Sequence, residues 1–198
     1  VSEARVSDRI LTIPNLVSLT RLLAIPVFWW VLLVEDNVAA AAWLILIIGS
    51  TDWVDGYLAR RLDQVSALGK MLDPIADRLM IASALIGGMI AGVLPAWFVW
   101  ALIAREVLVG GMALYLASRG AEPIEVRWLG KAATFALYGA VPSIYLANAG
   151  VLEWLAWPAA WFLGINGMVL YWFTAFLYIG DSRAKLAALE SRPDHEEV

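Results

Sequence analysis

The stretch DWVDGYLARRLDQVSALGKMLDPIAD, Asp52 to Asp77, sets four aspartates among small and apolar residues at helical intervals. Asp52 and Asp55 are i,i+3 and Asp73 and Asp77 are i,i+4, so each pair falls on one face of a helix. Long apolar runs flank the stretch on both sides, which makes it the end of one membrane helix and the start of the next. A carboxylate at the centre of a bilayer helix costs roughly 2.5–3.5 kcal/mol, so four uncompensated ones cost on the order of 10 kcal/mol. Such a cluster calls for a cation. Oxygen-only donors with no His or Cys nearby favour Mg²⁺ or Mn²⁺ over zinc. One ion suits a diphosphate, and two can clamp both sides of a phosphoryl displacement.

The surrounding chain agrees with that setting. Of 198 residues, 62% are hydrophobic and 16% charged, outside the usage of a soluble domain. Cysteine is absent, which excludes thiolate ligands, disulfides and cysteine nucleophiles. A bilayer-spanning helix needs about 20 apolar residues. Six candidates run Leu16–Val34, Val38–Arg60, Gly69–Ala91, Pro95–Ala117, Gly130–Ala147 and Trp154–Ile179. The expected fold is therefore an all-α integral membrane protein with six transmembrane helices.

Charge sets the orientation. The connections near Glu35–Asn37, Gly92–Leu94 and Asn148–Glu153 lack Lys and Arg, whereas Arg60, Arg61, Lys70, Arg119, Arg127 and Lys131 gather at the other two. By the positive-inside rule, both termini and the aspartate cluster belong on the cytoplasmic side of a multi-pass cell-membrane protein. Residues 1–13 alternate charged and apolar positions and are expected to form an amphipathic interfacial helix. Residues 14–182 would be the six-helix domain and residues 183–198 a polar cytoplasmic tail. No nucleic-acid partner is expected.

Within this frame the motif resembles the signature of the CDP-alcohol phosphotransferase family, Asp-x2-Asp-Gly-x2-Ala-Arg-x8-Gly-x3-Asp-x3-Asp. Asp52, Asp55, Gly56, Ala59, Arg60, Gly69, Asp73 and Asp77 match it at every fixed position. The pieces PNLVSLTR and GKAATF also agree with it. The resemblance implies phosphatidyl transfer from CDP-diacylglycerol to an alcohol with release of CMP, at a two-metal site in a homodimer. It further implies that Asp52, Asp55, Asp73 and Asp77 bind metal, and that Asp77 also acts as general base. Asp52, Gly56, Ala59, Arg60 and Gly69 would then shape the cytidine diphosphate site.

The acceptor is less sharply marked. Arg105 lies well inside a predicted span beside Glu106, and an intramembrane Arg is a candidate site residue whose plain alternative is an internal ion pair. The resemblance implies that Arg105, with Lys131 and Arg183 expected on the same side of the membrane, forms a pocket for an acceptor phosphate. LIAREVLV and the Gly130–Lys131 pair resemble phosphatidylglycerophosphate synthases, whose acceptor is glycerol 3-phosphate. WLGKAATFALYGAVP and the aromatic run Tyr171–Phe173 resemble actinobacterial cardiolipin synthases, whose acceptor is phosphatidylglycerol, and the balance leans that way. A different class, an ion-coupled transporter, also uses intramembrane carboxylates. It predicts midplane charges or repeated broken helices, whereas these acids gather toward one face and no repeat is evident.

Overall fold

The structure is a computed structural model describing residues 13–62, 67–122, 124 and 128–190, with side chains described over 19–50, 75–122, 124 and 128–187. Six helices follow one another: α1 (Ile13–Leu33), α2 (Val38–Leu62), α3 (Ala67–Ile90), α4 (Ala96–Ser118), α5 (Trp128–Asn148) and α6 (Glu153–Glu190). Each apolar run read from the sequence falls on one of them. The amphipathic helix expected over 1–13 lies outside the described residues, apart from Ile13, which opens α1. Helix α6 continues through Glu190, into the segment read as a polar tail. That continuation has a local reason, because Arg183–Glu190 is rich in Ala, Leu, Lys and Glu, all strong helix formers.

Among the described residues, α4 and the Glu153–Ala187 part of α6 are long and apolar enough to cross a membrane. Leu19–Leu33 and Val38–Ser50 are shorter apolar stretches. Large apolar side chains point outward along the helices, among them Leu23, Trp30, Ile47, Leu114, Phe135 and Phe162. Trp97, Trp100, Trp154, Trp157 and Trp161 are all exposed.

Short polar turns end the helices. Asn37 caps α2 through its Oδ1, which accepts from the Ala40 N–H at 2.9 Å. Gly92, at φ +71°, lets the chain leave α3 by folding the Val93 and Leu94 N–H groups back onto the Gly88 carbonyl. Pro26 and Pro142 sit inside α1 and α5, a placement that membrane helices tolerate when neighbouring groups satisfy the freed carbonyls.

The chain divides into two compact units, one drawn from Val1–Pro95 and Val141–Ala160, the other from Ala96–Ala140 and Trp161–Val198. In the first, α1 packs against α2 and α3. Its core holds Phe28 and Leu32 of α1, which lie against Gly87 of α3 where a Cβ would stand 3.0 and 3.1 Å from them. Tyr145 is wholly buried and donates its hydroxyl to the Ala84 carbonyl at 2.6 Å. Gly88 admits that hydroxyl, so the Gly87–Gly88 pair makes the close helix contacts expected of small residues in a membrane. At Gly110 and Gly111 of α4, by contrast, a Cβ would meet none of the described residues within 4 Å. In the second unit Gly167 of α6 receives Leu137 of α5, and Val99, Leu102 and Leu116 of α4 are buried.

Candidate functional site

The backbone of α2 is helical through Asp52, Asp55, Gly56, Ala59 and Arg60, and that of α3 through Gly69, Asp73 and Asp77. Each aspartate pair therefore occupies one helix face, as its spacing requires. The side chains of 51–62 and 67–74 fall outside the described ones, and so does the expected meeting of the two faces. Of the four aspartates, Asp77 alone has a described side chain. Among the described residues no group of three or more acidic, His or Cys side chains is assembled around a point.

Asp77 is not left facing lipid. Its Oδ1 accepts from the Nη1 of Arg21 on α1, forming an ion pair between the two helices. The Arg21 side chain is only 5% exposed and that of Asp77 30%. A guanidinium so deeply buried requires a counter-charge, and removing either partner of such a pair costs about 3–5 kcal/mol. Carboxylate oxygen is the donor type that a hard divalent ion takes in preference to nitrogen or sulfur, and in the structure one oxygen of Asp77 is engaged by Arg21. In sequence Arg21 is marked only as the end of PNLVSLTR. The available signal was an Arg within the first turns of an otherwise apolar span, where a partner has to be found.

A second polar cluster lies in the other unit. Arg105 on α4 donates from Nη1 to Glu106 Oε1 at 2.9 Å. The Tyr171 hydroxyl, on α6, donates to that same oxygen. The Arg105 guanidinium carbon also stands 3.9 Å from the centroid of the Tyr171 ring, a stacked cation–π contact. Glu106 is 52% exposed and Arg105 only 15%. The Arg105 Nε is buried and has no acceptor among the described residues, which ordinarily costs about 1–3 kcal/mol. The internal pair weighed against a ligand role for Arg105 is thus present, with Glu106 as the partner, and one donor of the guanidinium stays unmatched.

Lys131 on α5 and Arg183 on α6 belong to the same unit as Arg105, and both are exposed. Close by in sequence, Lys185 donates to the Glu122 carbonyl at 3.0 Å, tying α6 to the segment after α4. Tyr171 was visible in sequence only as part of an aromatic run. Nothing in its spacing pointed to Arg105, since the two residues meet through the packing of α4 on α6.

Comparison with known proteins gives a consistent picture. The family model for CDP-alcohol phosphatidyltransferase matches residues 11–179. A cardiolipin synthase (CMP-forming) of Streptomyces coelicolor is 40% identical over 195 residues, covering 95% of this chain and 91% of that protein. A CDP-diacylglycerol–glycerol-3-phosphate 3-phosphatidyltransferase of Bacillus subtilis is 38% identical over 150 residues, covering 69% of this chain and 77% of that protein. The Escherichia coli K12 protein of the same name is 31% identical over 188 residues, 88% of this chain and 96% of that protein.

Proposed function

The chain belongs to the CDP-alcohol phosphatidyltransferase family and is a phosphatidyltransferase of phospholipid biosynthesis, and from that premise we propose that it makes cardiolipin from CDP-diacylglycerol and phosphatidylglycerol. The observation that carries the choice of acceptor is the 40% identity to the Streptomyces cardiolipin synthase across 95% of this chain, against lower identity or coverage for the glycerol-3-phosphate enzymes. The transfer takes place in a six-span membrane domain with its site on the cytoplasmic face. That setting is supported by the outward-facing Trp and Leu side chains and by the two helices long enough to cross a bilayer.

The family is generally dependent on divalent metal. Asp52, Asp55, Asp73 and Asp77 are the residues that would hold one or two Mg²⁺ or Mn²⁺ ions. When bound, such ions neutralise phosphoryl charge and polarise the phosphorus under attack. Gly56, Ala59, Arg60 and Gly69, with Asp52, shape the cytidine diphosphate site. Arg105, Lys131 and Arg183 hold the acceptor's phosphate. Asp77 takes the proton from the acceptor hydroxyl as its oxygen bonds to the phosphorus that carries the diacylglycerol. The bond from that phosphorus to the CMP oxygen breaks, CMP leaves with the electron pair, and Asp77 returns its proton to solvent. Arg21 holds the Asp77 carboxylate oriented until the acceptor arrives.

The test is product analysis by mass spectrometry of purified protein given CDP-diacylglycerol, Mg²⁺ or Mn²⁺, and either phosphatidylglycerol or glycerol 3-phosphate. Cardiolipin with CMP release is the expected outcome. Phosphatidylglycerophosphate from glycerol 3-phosphate alone would reassign the acceptor, and absence of CMP with either would overturn the proposal.

A further inference from the structure

Neighbouring residues on a helix diverge by about 100°, so an Arg and a Glu at i,i+1 do not ordinarily face each other. Arg105 and Glu106 nevertheless bond directly, and Tyr171 of α6 touches both. Its ring lies under the guanidinium, while its hydroxyl donates to the same Glu106 oxygen that Arg105 Nη1 reaches. Tyr171 is itself buried. The three side chains close a triangle in which the Tyr171 ring and the Glu106 carboxylate hold the guanidinium from two sides. A planar cation held in this way loses little freedom on binding a tetrahedral oxyanion. Its Nε–H is buried and has no acceptor among the described residues, and the N–H groups that Glu106 does not take are the ones left for a phosphate.

We infer that Tyr171 and Glu106 are positioning residues that hold the Arg105 guanidinium ready for the phosphate of the acceptor. This rests on the reading of Arg105 as an acceptor-phosphate ligand and adds two residues to it. Glu106 is half-exposed and Tyr171 is not, so the hydroxyl of Tyr171 carries most of the ordering. The ring alone cannot set the rotation, because stacking tolerates turning about the ring normal.

The experiment compares steady-state kinetics of full-length Tyr171→Phe, Glu106→Gln and Arg105→Ala, varying phosphatidylglycerol and CDP-diacylglycerol in turn. If product analysis assigns glycerol 3-phosphate, it replaces phosphatidylglycerol as the varied acceptor. Tyr171→Phe keeps the ring and loses only the hydroxyl. It should raise the acceptor KM by about three- to tenfold while kcat and the CDP-diacylglycerol KM move by less than about twofold. Glu106→Gln keeps an oxygen that can accept both hydrogen bonds and should raise the acceptor KM by a smaller factor. Arg105→Ala should raise it by about tenfold or more. A wild-type acceptor KM in Tyr171→Phe, alongside a raised one in Arg105→Ala, overturns the positioning role and leaves the proposed function standing. An unchanged acceptor KM in Arg105→Ala removes both. Equal losses in kcat and in both KM values would make the triangle a packing device only.

Discussion

Arg21 of α1 and Asp77 of α3, 56 positions apart in sequence, form an ion pair in which the guanidinium is almost wholly buried. The pair joins the last aspartate of the motif to a helix that contributes none of the other motif residues. Its position means that the residue proposed as general base already has a cation beside it, which holds the carboxylate in one orientation.

Replacing Arg21 should therefore act first on stability. Arg21→Ala leaves Asp77 without its guanidinium, and a loss of roughly 3 kcal/mol is expected, seen as a lower thermal midpoint in detergent. Adding Asp77→Asn to that background should recover part of the loss, because the carboxylate charge that Arg21 faced is gone. Full additivity of the two substitutions would show that the pair contributes nothing.

Asp77→Asn alone should reduce turnover by about 10²- to 10⁴-fold, the range of a lost general base, with CDP-diacylglycerol binding largely intact. CMP release and nucleotide-lipid binding, measured on the same preparation, separate the two effects. Normal turnover in this variant would remove Asp77 from the chemistry.

Metal dependence has its own expectation. Chelation by EDTA should abolish CMP release, and Mg²⁺ or Mn²⁺ should restore it. Asp52→Asn should shift the metal concentration for half-maximal activity upward and weaken nucleotide-lipid binding in the presence of metal. A metal titration identical to that of the unaltered protein would mean that Asp52 is not a ligand.

The glycines separate close contact from open surface. A Cβ at Gly88 would stand 2.5 Å from the Tyr145 hydroxyl and 2.8 Å from Leu94 Cδ1, and that hydroxyl is fixed by its bond to Ala84. Gly88→Ala should cost about 1–3 kcal/mol through overpacking. Gly111→Ala meets nothing and should leave the thermal midpoint unchanged or slightly raised, since Ala is the better helix former. Equal effects at the two positions would contradict the packing of α3 against Tyr145.

Much of the architecture was legible in the residues themselves. Apolar runs long enough to form helices, broken by polar turns such as Asn37 and Gly92, give six elements in the right places because that information is local. The same holds for the motif: identity and spacing alone put Asp52 with Asp55 and Asp73 with Asp77 on helix faces, and the match of residues 11–179 to one family agrees with the resemblance. Arg105 was marked by the rarity of an Arg within an apolar span.

The sequence by itself determined the elements, the motif and the family, since each depends on residue type and short-range periodicity. Only the tertiary structure decided which cation stands beside Asp77, what lies under Arg105, and which glycines are crowded. Those depend on helices that are distant in the chain coming into register. Arg21 finds Asp77, Tyr171 finds Arg105 and Glu106, and Tyr145 finds Ala84 because a buried charge or hydroxyl must be satisfied by whatever group packing brings within reach.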